Sequence, residues 1–258
     1  MKMMKIDILR RVAMTTVALA ISASAVCAQS GEQADRLTYS GRIGYEVGAS
    51  TPLGMPESIR GLNSYNPRAN IIIGAGAHCR ISSSWGIEAF MQVENKGMRT
   101  DAKVKNYFME FRQGKDALKG VFTGNVVTEV DEWMISVPVT ATFDVRKVRV
   151  KAGPYVSFLL NGEFSGYAYD GYIRKGTPIG AKVIIGDDKN TRGDYDFSDS
   201  MRKCHFGLMA DANWRFGKNL GAFIGLSWGL TGIFHSDFKT VEQTMYPIYG
   251  SLGISYDF

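Results

Sequence analysis

Residues 133–160 read WMISVPVTATFDVRKVRVKAGPYVSFLL. Two alternations of period two stand back to back in that stretch. Trp133, Ile135, Val137, Val139, Ala141 and Phe143 make the first, and Val148, Val150, Ala152, Pro154, Val156, Phe158 and Leu160 the second. A period of two is the mark of a strand with one apolar face. Asp144–Lys147, between them, is short enough for a hairpin turn. Trp133 to Phe143 spans about ten residues; at about 3.3 Å each and a tilt of about 40° this covers roughly 25 Å, the height of a bilayer's apolar band.

Six more runs follow the same period. They begin with Leu37–Val47, Ile71–Ile81 and Trp85–Val93, and resume after the quoted pair with Phe206–Phe216, Leu220–Leu230 and Ile248–Phe258. A soluble sandwich or barrel would turn the apolar face inward, whereas a transmembrane barrel turns it to lipid. Connection lengths favour the second. Ser82–Ser84, Asp144–Lys147 and Gly217–Asn219 are short, and they alternate with links of roughly 20, 35, 43 and 15 residues, far above ordinary loop lengths. Short periplasmic turns and long extracellular loops alternate in this way in outer-membrane barrels. Aromatic placement agrees. Tyr39, Trp85, Phe143, Trp214, Phe216, Tyr256 and Phe258 fall at the turn ends of their runs, and Trp133, Phe158, Phe206 and Trp228 at the loop ends. A soluble core would not sort aromatics into two levels.

The expected fold is therefore all-β, a transmembrane antiparallel up-and-down β-barrel of eight strands. Ten strands are the alternative, should Val121–Val130 and part of the third loop form another membrane hairpin. The opposite face of the runs carries both charge signs: Arg42, Glu46, His78, Arg80, Glu88, Glu94, Lys96, Arg149, Lys151, Asp211 and Arg215. Unpaired charges in a narrow lumen are costly, so this set predicts an ion-paired plug and a closed barrel. If Ile81 pairs with Trp85, His78 faces Glu88.

Of 258 residues, 45% are hydrophobic, 12% aromatic and 21% charged, a mix at odds with disorder. Lys2, Lys5, Arg10 and Arg11 precede the apolar run Val12–Val26, and Val26-Cys27-Ala28 precedes Gln29 in the manner of a signal-peptidase site. The expected organisation is a cleaved secretory signal peptide over 1–28, a short periplasmic segment over 29–36, and the barrel over 37–258. Removing 1–28 leaves 26 basic against 24 acidic residues, so the formal charge of +5 falls to +2 and implies no basic partner-binding surface. The remaining cysteines, Cys79 and Cys204, fall at opposite ends of their runs, too far apart for a disulfide, and are expected as free thiols.

No catalytic, cofactor-binding or metal-ligating residue is expected. Only His78, His205 and His235 are available as bases. His235-Ser236-Asp237 has the residue types of a relay, but neighbours on an extended segment point to opposite faces. Asp187, Asp188, Asp194, Asp196 and Asp199 lack the ligand spacing of a calcium loop and read as a solvated surface. Arg192-Gly193-Asp194 matches a tripeptide bound by some adhesion receptors, a match of low specificity. Tyr167, Tyr169 and Tyr172 lie in the same loop, roughly 161–203. In the loop over 97–131, residues 101–118 suit either a short helix or a strand extension. A nucleic-acid platform would want a basic groove beside its aromatics, which is lacking.

Val137-Pro138-Val139 followed by Lys151-Ala152-Gly153-Pro154-Tyr155-Val156-Ser157-Phe158-Leu159-Leu160 resembles the PorT-like outer-membrane β-barrel family of the Bacteroidota, small barrels of the OmpX/OmpA type. Ser157 and Phe158 stand where that family usually has glycine and tyrosine. The resemblance implies an eight-stranded barrel in the bacterial outer membrane and little about activity. Its partners would be outer-membrane lipids and lipopolysaccharide, the barrel-insertion machinery through the strand ending at Phe258, and other outer-membrane or secretion-complex proteins. The expected role is a non-enzymatic envelope component; a surface adhesin acting through the long loops is the alternative, and a lipid-modifying enzyme a remote one.

Overall fold

The computed structural model describes residues 36–54, 56–113, 116–235, 238, 240 and 244–258; the expected signal peptide, nearly all of the segment 29–36, and Ser236 and Asp237 lie outside them. Eleven strands form a single antiparallel sheet: β1 Leu37–Pro52, β2 Ile59–Pro67, β3 Asn70–Arg80, β4 Trp85–Gln113, β5 Asp116–Val145, β6 Val148–Lys175, β7 Lys182–Ile185, β8 Gly193–Asp196, β9 Cys204–Arg215, β10 Leu220–Gly229 and β11 Met245–Asp257. Hydrogen-bonded pairing runs β1–β3–β4–β5–β6–β9–β10–β11 and back to β1, which closes a ring of eight strands. Residues 121–130 are the outer continuation of β5, paired on both sides, and add no membrane hairpin of their own.

Lipid-facing chemistry follows the alternation. Ile43, Ile73, Met91, Val150, Leu208, Ile224 and Ile254 are exposed on the outer wall. Around the turn end, Trp85 packs against Phe143 (4.8 Å between centroids), Trp214 against Phe216 (5.9 Å) and Tyr256 edge-on to Phe258 (5.2 Å). Trp133, Phe206 and Trp228 are exposed at the opposite level. An aromatic body with a polar edge suits the membrane boundary, and the two rings bracket the apolar wall.

Three strands overrun this wall. β4, β5 and β6 are 29, 30 and 28 residues long, about three times what a membrane crossing needs. Their outer halves, joined by β2, β7 and β8, make a β-extension beyond the Trp133 level. Residues 101–113 are thus strand, not helix. The extension has its own core, built on Met98, Met109, Phe111, Leu118, Phe122, Val126, Val130, Phe164, Ile173, Ile185 and Tyr195. Two devices curve it. β4 and β5 shift register between Val104 and Tyr107, where Asn106 takes φ 55°, and β5 and β6 shift between Thr123 and Asn125, beside Asp170 at φ 45°. Extra residues of this kind increase local twist and re-aim side chains.

One expectation is corrected. Cys204 is a free thiol, but Cys79 is disulfide-bonded. Cys79 and Cys204 are not joined to one another.

Candidate functional site

The interior of the ring is filled. Arg42 Nη1 meets Asp211 Oδ2 at 3.0 Å, and Lys151 Nζ lies 2.7 Å from Glu88 Oε1 and 3.6 Å from Asp211 Oδ1. One layer outward, Glu94 accepts from Lys96 Nζ (2.7 Å), Ser136 Oγ (2.6 Å) and Gln92 Nε2 (2.6 Å). Arg42 sits over the ring of Phe90 at 4.6 Å, and Lys96 near Tyr155 and Tyr249 at 5.4 and 5.7 Å. Such pairing is what makes a low-dielectric interior tolerable to charge. Two cavities among these side chains measure about 10 Å³ each, room for about one water apiece.

Of the charged residues expected inside, Arg42, Glu46, His78, Glu88, Glu94, Lys96, Arg149, Lys151 and Asp211 are buried, and Arg215 is half-buried with Asp144 at 3.3 Å. Arg80 is a correction: it ends β3 at the turn end, where the lumen opens to water, and is exposed. His78 pairs with Glu88 in register, as the turn length requires, but its Nε2 bonds Thr142 Oγ1 at 2.9 Å while Glu88 takes Lys151. His205 and Glu132, buried at 4.0 Å from one another, and the buried Tyr249 belong to the interior but lie outside the sequence-derived set. Their strands' alternation marks the inward face, and only the expectation of where the lumen ends left them out.

Among the described residues no relay forms at the histidines, and Ser236 and Asp237 of the His235 trio lie outside them. His205 Nε2 bonds the Arg202 carbonyl at 2.9 Å and His235 is exposed. Asp194 pairs with Arg192 at 2.8 Å, and Asp196 Oδ1 accepts from the backbone and hydroxyl of Ser198 at 3.0 and 2.6 Å. Among the described residues no group of three or more metal-type ligands converges.

The tripeptide at 192–194 is built into the sheet. Gly193 opens β8, which pairs with β4 and β6, and a Cβ on it would stand 2.2 Å from the Phe111 ring. The Arg192 guanidinium lies over Tyr167 at 4.2 Å. Receptor recognition of that tripeptide needs a protruding tip with both charged side chains free; here the glycine is buried and the charges pair with one another.

A feature with room for a ligand lies in the extension. A cavity of about 310 Å³ lies between the ends of β1 and β11, β2, and the outer parts of β4, β5 and β6. Ala49, Ile59, Leu62, Met98, Ala102, Val104, Met109, Val126, Phe164, Phe197 and Met245 line it. Two of its tyrosines, Tyr195 and Tyr65, spend their hydroxyls on the wall. Tyr195 Oη donates to the Val127 carbonyl at 2.7 Å and meets Thr128 Oγ1 at 2.7 Å, and Tyr65 Oη donates to the Gly48 carbonyl at 2.5 Å. Burial raises both phenols above their ordinary pKa, so they stay neutral donors. Nearby on the outer surface, burial and a 2.7 Å bond to Asp101 push Tyr169 up to about 12.

The family model described as an outer membrane protein β-barrel domain matches residues 27–235. Among solved structures, Ail, the attachment invasion locus protein of Yersinia pestis, is similar at 10% identity with a TM-score of 0.36, over 86% of this chain and 98% of that one. Neisserial surface protein A is similar at 12% identity and 0.36, over 86% and 97%. OprG of Pseudomonas aeruginosa is similar at 10% and 0.32, over 86% and 95%. No curated protein matches the chain.

Proposed function

The chain belongs to the outer membrane protein β-barrel domain family, and within it we propose a non-enzymatic envelope component of the bacterial outer membrane that works through its outer β-extension. The lumen is closed to solutes. Activity resides in a rigid platform held beyond the membrane, where an accessory role in an outer-membrane assembly or secretion complex is exerted on a protein partner. The observation that carries this is the division of the same three strands into a charge-plugged barrel and an extension with a separate apolar core. A pore would need an unfilled lumen, and an enzyme a convergent set of reactive groups.

The narrower PorT-like kinship of residues 137–160 agrees with such an accessory role. Outer-membrane lipids and lipopolysaccharide surround the aromatic rings. The exposed ring of Phe258, on the terminal strand, suits recognition by the insertion machinery.

The test is gentle extraction of the native membrane, affinity purification and mass spectrometry, with a control trimmed of the β4–β5 hairpin beyond the Arg99–Glu129 pair. A stoichiometric partner lost on trimming is expected. Purification of the intact protein as a lone monomer, or stable single-channel conductance in a planar bilayer, would overturn the proposal.

A further inference from the structure

We infer that the outer edge of β7 docks an extended segment of a protein partner, a strand that sets an acidic side chain against Lys182 and an apolar one, two residues away, against Ile184. The inference rests on the extension acting on a protein, and it names the place and the chemistry of the contact.

The ladder leaves that edge open. Gly176 N–H donates to the Lys119 carbonyl and Lys175 N–H to the Ala181 carbonyl, both at 3.1 Å. Successive residues of β6 therefore turn alternately to β5 and to β7, and the hydrogen-bonded pairs of β6 with β7 are Ile173–Val183 and Gly171–Ile185. The backbone N–H and C=O groups of Lys182 and Ile184 point the other way. Among the described residues β7 pairs with β6 and with no other strand. An edge of this kind is a template for one more strand.

The outer face of the same sheet sets the chemistry. Register puts Phe108, Val121, Arg174 and Lys182 in one row across β4, β5, β6 and β7, and Thr123, Tyr172 and Ile184 in the next. Arg174 and Lys182 stand directly opposite one another, a like-charge pair that costs stability. Among the described residues neither has an acidic partner; both lie over the Tyr172 ring, at 5.7 and 4.2 Å. Lys119 adds a third cation, met by Glu110 at 3.6 Å. Ile184 is 64% exposed and Ile179, in the turn before β7, 92%. Unlike the apolar residues of the barrel wall, these two stand in water. The chain's near-balance of charge conceals the patch, because its acids gather in the barrel interior, at Glu129 and Asp131, and over 187–199.

Together these features select the occupant. An added strand pairs the edge groups, covers Ile184 and brings a carboxylate to cations that have none. A polyanionic glycan would use the cations but leave Ile184 in water and the edge without a ladder. A second copy of β7 would bring another Lys182 to the patch and is disfavoured. Asp170, Asp187 and Asp188 are exposed at the other end of β7, where Asp170 N–H bonds the Gly186 carbonyl, so the acidic part of the partner lies toward Lys182.

The experiment selects random twelve-residue peptides displayed on phage against the full-length protein in lipid nanodiscs, with counter-selection on empty discs. Enriched peptides of net negative charge, with an acidic residue two positions from an aliphatic one, are expected. A synthetic copy of the most enriched peptide should slow hydrogen exchange at Lys182–Ile185 and bind more weakly as salt is raised. Lys182→Glu should weaken it about tenfold or more while the extension keeps its protease resistance, because the reversal turns the like-charge pair with Arg174 into an opposite-charge one. Ile184→Pro, which removes an edge N–H that β6 does not use, should weaken it as well. No binder above empty discs, binders without acidic residues, protection away from β7, or full affinity in Lys182→Glu overturns the site. Heparin binding that Lys182→Glu abolishes, with no peptide binder, assigns the patch to a glycan and equally overturns it. A native partner that is lost on trimming but kept by Lys182→Glu sinks this inference alone. Peptide binding at β7 by a protein that purifies without any native partner sinks the accessory role alone.

Discussion

The two halves of β4 and β5 make a controlled comparison, because one unbroken pair of strands passes through two solvents. Below the Trp133 level their even-numbered residues face a charged interior, with Glu88, Gln92, Glu94 and Lys96 on β4 and Glu132, Ser136, Thr140 and Thr142 on β5. Above it the same even-numbered face is apolar: Met98, Ala102 and Val104 on β4, Val130, Val126, Phe122 and Leu118 on β5. No register shift separates the halves, since the pairing is continuous from Gln92–Ser136 to Val104–Gly124. The inversion is thus written in side chains and not in the backbone. Where lipid covers the outside, the protein puts its apolar groups out and must pair its charges within; where water covers it, the ordinary hydrophobic effect fills the inside. β6 achieves the same change with a bulge, its register shifting at Trp133/Met134 so that Phe164 and Ala168 point inward where Tyr155 and Ser157 do below.

A charge placed in the upper core should break the comparison most. Phe122→Asp puts a carboxylate where the native ring is fully buried and edge-on to Phe111 at 5.8 Å. A loss of about 4 kcal/mol or more is expected, confined to the extension. Limited proteolysis should cut beyond residue 97 while the barrel keeps its heat-modifiable migration; joint loss of both would mean that the halves fold as one unit.

In the lower half the complementary change is Lys96→Met, which strands the buried Glu94 carboxylate. A cost of about 3–5 kcal/mol is expected, largely restored by the double variant Glu94→Gln/Lys96→Met, because removing both charges also removes their desolvation. Urea unfolding from lipid vesicles reads it, and a double variant no better than the single one would show that the pair itself holds the barrel. A smaller loss, about 1–3 kcal/mol, should follow Gly193→Ala as the added methyl displaces Phe111 and lifts β8. Faster hydrogen exchange at 193–196 with an unchanged barrel is the signature. Smallest is a gain. Arg146, in the β5–β6 turn, has φ 53°, and Arg146→Gly should add about 0.5–1 kcal/mol to the barrel and nothing to the extension.

Much of this was legible beforehand. The eight alternating runs, the two aromatic levels and the short turns at Ser82–Ser84, Asp144–Lys147 and Gly217–Asn219 place the ring strands, since a period of two is a local property. Even the His78–Glu88 pairing follows from turn length. The change of apolar parity between Val130 and Trp133 is also in the sequence, and it can be recognised as the point where a strand leaves the membrane once the strand is known to continue.

What the sequence by itself determined, then, is the barrel: which residues face lipid, which face inward, and that the inward ones must neutralise each other. Alternation and charge balance are properties of neighbouring positions, and a membrane leaves them one solution. Only the tertiary structure decided how the long links are used. Gly193-Asp194 became the start of a strand with its glycine buried because Phe111, some eighty residues earlier, packs on Gly193. The cavity arises where strands from both ends of the chain converge, and no local pattern specifies a space that is left unfilled.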